Sequence, residues 1–227
     1  MNVFDTLLSV IAPHDCLGCR AEGSLLCSEC RSTLPPALRR CYRCHTPGSS
    51  FRTCSACYEL APITTLLAAS RYAGLSKEIV WKMKFARSRS AAIDIAQIMV
   101  DRLGLANRLI HIPDLIIVHL PTATSRVRQR GYDQSALISR SLGASCGVPY
   151  RPLLRRSGHQ EQIGASKVQR EHQLSDAFWV PRPAAVKGKR IILIDDIVTT
   201  GATLDAAART LLDAGAIRVD AIVSAQA

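Results

Sequence analysis

Residues 191–204 read IILIDDIVTTGATL, which places two adjacent carboxylates just ahead of a run of hydroxyls and a glycine. Asp195 and Asp196 suit neighbouring hydroxyls of a sugar, or a magnesium ion shared with them. The turn Thr199, Thr200, Gly201, Ala202, Thr203 feeds an apolar-periodic run, so its backbone N–H groups and hydroxyls can cradle a phosphate at a helix N-terminus. A phosphorylated ribose satisfies both halves. The competing reading is structural: Asp195 caps the strand end and the threonines cap the helix. Capping alone does not call for two acids followed by hydroxyls and glycine.

A second chemistry lies near the amino end. Eight of the nine cysteines form four Cys-x-x-Cys pairs: Cys16/Cys19, Cys27/Cys30, Cys41/Cys44 and Cys54/Cys57. Two such pairs supply the four thiolates of a closed, tetrahedral structural zinc site, so about two Zn2+ ions are expected. Sequential and interleaved pairings are both open. A redox Cys-x-x-Cys or an iron–sulfur cluster is the rival reading, and the repeated spacing favours zinc. Cys146 stands alone and reads as a small buried residue.

The elements that must position these groups follow from periodicity. Ile191 to Ile194 form a β-branched and leucine run with the look of a central strand covered on both faces, with the aspartates at its tip. DLIIVHLP is a second buried strand, ITTLLAASRYAG a third and IRVDAIVSA a fourth. Residues 75–104 carry helical periodicity broken near Phe85–Ser90, and RGYDQSALISRSLGASCG is a helix with Ala136, Leu137, Ile138 and Leu142 inward. Residues 150–154 form a short strand, and the polar stretch after it a long loop or hairpin. Strands alternating with helices predict an α/β domain on a mostly parallel sheet flanked by helices, with ligands beyond the carboxyl ends of the strands. The domains expected are 1–61, an N-terminal amphipathic helix with a double zinc ribbon, and 62–227, the α/β part.

The formal net charge is +11, and +10 of it falls after Ala61. Such a balance points to a polyanionic partner. In WKMKFARSRS, Lys82, Lys84, Arg87 and Arg89 surround Trp81 and Phe85, a pattern that suits single-stranded DNA. The helical alternative packs both aromatics inward while the cations snorkel, and the spacing favours it. No stretch has the length of a membrane helix and the start lacks a signal-peptide pattern, so a cytoplasmic protein without a membrane partner is expected.

The loop 191–204 closely resembles the phosphoribosyl-pyrophosphate loop of type I phosphoribosyltransferases. With its cysteine pairs, the chain resembles the ComF (ComFC) family of competence proteins over nearly its full length. RYAG and KMKF within residues 71–85, and PTATSRVRQRGYDQ over 121–134, carry the resemblance, as do Gln162, Arg170, Ala177 and Phe178. It departs from the family pattern at His119 and Leu120, at Asp133 and at Gln173. The resemblance implies that Asp195 and Asp196 hold ribose hydroxyls and take the catalytic role. It gives the 5′-phosphate to Thr199–Thr203, and pyrophosphate with Mg2+ to Pro121, Arg126 and Arg130. The implied function is accessory to DNA uptake and transformation, with phosphoribosyl pyrophosphate and single-stranded DNA as ligands and DNA-uptake or recombination proteins as partners. The alternative is an active phosphoribosyltransferase with a small-molecule acceptor, and a sensor without turnover is a third reading.

Overall fold

Apolar residues on both faces of a strand demand a layer on each side. The computed structural model, which describes residues 15–48, 50–86, 88–157 and 177–227, supplies both layers. Two short helices, α1 (Ser28–Ser32) and α2 (Ser55–Tyr58), belong to the cysteine-rich region. Then come β1 (Leu66–Arg71), α3 (Leu75–Phe85), α4 (Arg89–Leu103), α5 (Leu105–Leu109), β2 (Leu115–His119), α6 (Thr124–Arg130) and α7 (Gln134–Cys146). Paired β3 (Arg155–Arg156) and β4 (Phe178–Trp179) precede β5 (Arg190–Val198), α8 (Ala202–Asp213) and β6 (Arg218–Gln226).

The main sheet has the order β1-β6-β5-β2 with every pairing parallel, and Tyr150 adds a single parallel bridge to Ile117 at the β2 edge. Along β5 the side chains alternate between two cores. Ile192 and Ile194 join α3, α4 and α7, while Ile191 and Leu193 join α8. No helix among the described residues is long and apolar enough to cross a membrane.

Several sequence expectations shift in detail. The helical stretch is interrupted between Phe85 and Arg89, as its pattern predicts. The expected strand over 150–154 reduces to the Tyr150 bridge, and the pairing moves on to Arg155–Arg156. Helix α7 buries Ile138 and Leu142, but Ala136 and Leu137 are only half-buried, and its innermost first-turn groups are Gln134 and Ser135. The expected strand end also moves. β5 continues through Asp195 and Asp196 to Val198, because β6 goes on pairing with it after β2 has stopped opposite Ile194. The amphipathic helix expected before His14, Arg87 and the loop residues Gln162, Arg170 and Gln173 lie outside the described residues.

The cysteine-rich region is built into the α/β core. Cys16, Leu25, Leu26 and Leu34 belong to the same hydrophobic cluster as Ile79, Met83, Ile95 and Met99. Arg102 on α4 donates to the carbonyls of Ala69, Arg31 and Leu34 at 2.8, 3.0 and 3.0 Å. Arg31 and the Leu25 N–H both reach the Asp94 carboxylate, at 3.2 and 3.1 Å. The later half of the region covers the opposite face of the sheet, where Tyr42 and Ile63 pack with the α8 side.

Candidate functional site

Asp195 and Asp196 sit inside β5 where it has lost one neighbour and kept the other, just past the carboxyl end of β2, on the side of a parallel sheet where ligands bind. Asp196 is 4% exposed. Its Oδ1 accepts from Lys84 Nζ at 2.9 Å, and its Oδ2 from Gln134 Nε2 at 3.2 Å. Asp195 Oδ1 accepts from Ser135 Oγ at 3.0 Å and from the Asp196 N–H at 2.8 Å. Burial, and then the charge of Asp196 alongside, push Asp195 up to about 8. Two acids this close in a partly desolvated crevice resist ionising together. A cation or a pair of hydroxyl donors relieves that conflict, which is the chemistry of a magnesium-bound sugar diol.

Thr199 and Thr200 are exposed beyond the strand, Ala202 is exposed and Thr203 half-buried, and Gly201 opens α8 with φ +77°. The first-turn N–H groups of a helix have no intrahelical acceptor, so this turn presents donors to a ligand. Gly201 is needed for a reason the sequence does not carry. A Cβ there would lie 2.8 Å from Cδ2 of Tyr42, so the close approach it permits is to that ring.

In the segment that follows β2, Pro121 and Arg130 are buried and Arg126 is exposed, the two arginines one turn apart on α6. Arg130 Nη1 is buried with no protein partner, as is Oε1 of Gln134, whose amide nitrogen holds Asp196. Orphaned buried polar atoms are costly and call for a ligand or water. Asp133 caps α7 through the Ala136 N–H and accepts from the N–H and Oγ1 of Thr122 at 2.9 and 3.1 Å. Its charge is thus spent on stapling residues 121–124 to α7. His119 is buried against Tyr150, whose hydroxyl lies 3.0 Å from Nδ1.

Helix α3 corrects the expectation for the basic aromatic stretch. Its buried face is Ser76, Ile79, Val80 and Met83, which leaves Trp81 and Phe85 at 53% and 62% exposed. Their rings lie 5.9 Å apart at 37°, and the Arg130 guanidinium lies 5.8 Å from the Phe85 ring. Lys84, grouped with Lys82 as a nucleic-acid contact by sequence, instead turns inward onto Asp196 with its side chain 19% exposed. Lys82 is half-buried and Arg89 exposed, the latter 5.6 Å over the Tyr132 ring.

The eight paired cysteines gather sequentially, Cys16, Cys19, Cys27 and Cys30 in one group and Cys41, Cys44, Cys54 and Cys57 in the other. Within each group all four sulfurs lie within 4.8 Å of one another. Cys19 and Cys27 are 3.6 Å apart, as are Cys44 and Cys54, close to the ~3.8 Å edge of a tetrahedron with Zn–S of about 2.3 Å. A Cβ on Gly18 would lie 2.6 Å from Cys30 Sγ, so the knuckle leaves no room for a side chain there. Neighbouring sulfurs drive Cys30 up to about 12, and Cys57 likewise, with Cys44 first among its causes. Four thiolates at this spacing need a cation, and both groups fit zinc. Cys146 is buried and free, as expected of a small core residue.

Gln134, Ser135 and Tyr42 are the groups around the acids and the turn that sequence reasoning missed, and Lys84 is one that it gave to another surface. A capping signal was present at Asp133, three residues ahead of Ala136. Nothing local marks Lys84 or Tyr42, whose partners are 112 and 163 residues away.

The family model described as the phosphoribosyl transferase domain matches residues 121–227. The DNA utilization protein YhgH of Salmonella typhi is 29% identical over 217 residues, covering 91% of this chain and 94% of that one. The competence protein ComFC of Bacillus subtilis is 29% identical over 198 residues, covering 84% and 79%. Competence protein F of Haemophilus influenzae is 25% identical over 214 residues, covering 88% and 91%. Among solved structures, a glutamine phosphoribosylpyrophosphate amidotransferase from B. subtilis aligns with 60% of this chain and 26% of its own at 21% identity. Its TM-score of 0.41 is too low to bear on function. The chain thus combines a phosphoribosyltransferase-type parallel sheet and two four-cysteine groups near its amino end with a similarity, along most of its length, to proteins named for competence and DNA utilization.

Proposed function

We propose that the protein serves DNA uptake and transformation, binding phosphoribosyl pyrophosphate with Mg2+ at the β5 crevice and single-stranded DNA on the outer face of α3. The observation that carries the first half is the acid pair itself. A carboxyl raised to about 8 beside a second, buried carboxylate is a costly arrangement to keep without a ligand that uses it. In this reading Asp195 and Asp196 hold the ribose hydroxyls or the ion, Thr199–Thr203 take the 5′-phosphate, and Arg130 and Arg126 face the pyrophosphate. Mg2+ would neutralise phosphate charge and be held by the acids. Lys84 then has to yield its place on Asp196 or share it. Titration calorimetry checks this directly: heat is expected at sub-millimolar phosphoribosyl pyrophosphate with Mg2+, and little without it. No binding at millimolar ligand with Mg2+ rejects the site.

The second half rests on two neighbouring aromatics that α3 leaves in solvent among cations. Rings stack on bases of any sequence while Lys82 and Arg89 meet phosphates. Trp81→Ala combined with Lys82→Ala should weaken a labelled oligonucleotide tenfold or more, since each stacked base is worth about 1–3 kcal/mol. The slope of log affinity on log salt should fall by about 0.7 for the one cation removed. Fluorescence anisotropy across a salt series reads both. Unchanged affinity would shift the DNA surface to the cysteine region. Cytoplasmic location and protein partners from the uptake or recombination machinery accompany this reading. Pyrophosphate release on adding an acceptor would instead favour the transferase alternative.

A further inference from the structure

We propose that Tyr42 is a positioning residue for the turn Thr199–Thr203, which makes the second cysteine group and the ligand crevice one coupled unit. Tyr42 and Arg43 are the two residues between Cys41 and Cys44, so an ion held by that knuckle fixes the backbone of both. From there the Tyr42 hydroxyl donates to Asp205 Oδ1 at 2.6 Å, and Arg43 Nη1 lies 3.5 Å from Oδ2. Asp205 is the acidic residue in the first turn of α8. The Tyr42 ring, 2% exposed, lies against Gly201, where a Cβ would come within 2.8 and 3.1 Å of two ring carbons. Gly201 already has φ +77°, a conformation that glycine alone adopts cheaply.

These contacts do two things. The ring supports the turn from the side away from solvent, so Thr199 and Thr200 stay exposed over a fixed backbone. The hydroxyl and Arg43 draw the Asp205 carboxylate toward the knuckle and offset its charge, which would otherwise oppose an anion at this helix end. The inference rests on reading Thr199–Thr203 as the phosphate turn, but its central claim concerns the turn's rigidity.

Amide hydrogen exchange on the metal-loaded protein separates the two. Tyr42→Ala should speed exchange over residues 199–205 about tenfold or more while residues 191–194, deep in β5, keep their protection. Tyr42→Phe retains the ring and should restore most of the protection. Cys44→Ser, in which three thiolates can still hold an ion, should loosen the same residues by less than Tyr42→Ala does, with metal content measured alongside. Phosphoribosyl-pyrophosphate affinity should fall in the same order. Wild-type exchange at 199–205 in Tyr42→Ala overturns the proposal, and so does a Phe variant as fast as Ala. If the ligand fails to bind wild-type protein while the exchange pattern holds, the phosphate reading fails and the role of Tyr42 stands.

Discussion

Asp195→Asn is expected to raise the melting temperature of the ligand-free protein at pH 8 while abolishing its response to phosphoribosyl pyrophosphate and Mg2+. An aspartate in the unfolded chain titrates near 3.8, and in the fold Asp195 is pushed up to about 8, first by burial and then by Asp196. Between those values the folded protein holds a proton that the unfolded chain has released. Stability therefore falls as pH rises through that window, and it levels off above it. Asparagine keeps the volume and removes the penalty. The crevice is partly open to solvent, so a gain of about 2–3 kcal/mol is a reasonable scale, or roughly 4–10 °C in a chain of this size. The gain should shrink as pH falls toward 3.8 and vanish below about pH 3, where wild-type Asp195 is largely neutral in both states.

Ligand affinity should move the other way, rising toward pH 8 in the wild type as Asp195 becomes available in its charged form. Asp196→Asn should behave unlike its neighbour, because it leaves the inward-turned Lys84 ammonium without its carboxylate. Calorimetric melts of both variants at several pH values, with and without ligand, decide the matter. A lower melting temperature for Asp195→Asn at pH 8 would mean the charged form is favoured by the fold.

Stripping the metal under reducing conditions should abolish the cooperative melt of the entire chain. The sequence suggests a boundary after Ala61 and a cysteine module able to unfold by itself. In the structure Cys16, Leu25, Leu26 and Leu34 share one cluster with α3 and α4, and Arg102 ties that region to β1 through three hydrogen bonds. A structural zinc contributes about 10–16 kcal/mol in small domains, as much as or more than the ~5–15 kcal/mol by which a typical protein is folded. Metal analysis of the untreated protein should give about two ions per chain. Circular dichroism before and after chelation then reads the outcome, with Cys16→Ser as the genetic counterpart. A domain melt that survives metal loss would show that the two regions fold independently.

What the sequence reveals here is what local patterns encode. The run Ile191–Ile194 with its acids and turn, and the four Cys-x-x-Cys pairs, are each legible because strand burial, turn chemistry and metal-ligand spacing act over a few residues. The outward placement of Trp81 and Phe85 was also within reach. Ile79, Val80 and Met83 repeat at helical spacing and claim the buried face, so residues 81 and 85 fall on the other side. The partners of Asp196 and of Gly201 were beyond local reach, since they come together only when distant segments meet across the folded sheet. Composition does not distinguish a lysine facing DNA from one facing a carboxylate.

The strand order has a consequence for how the chain is made. Among the described strands β1 pairs with β6 alone, and Arg71 and Gln226 are about 150 residues apart in the chain. At translation rates of about 5–20 residues per second, β1 waits roughly ten to thirty seconds for its neighbour. Until then β5, Asp195 and Asp196 included, lacks the strand that carries Ser224, which donates to the Asp196 carbonyl. The cysteine knuckles close over short spans and can take up metal while most of the sheet is unsynthesised. The surroundings of Asp195 and Asp196, by contrast, are complete only once β6 has emerged from the ribosome, so a nascent chain gathers its cysteine groups first and its acid pair later.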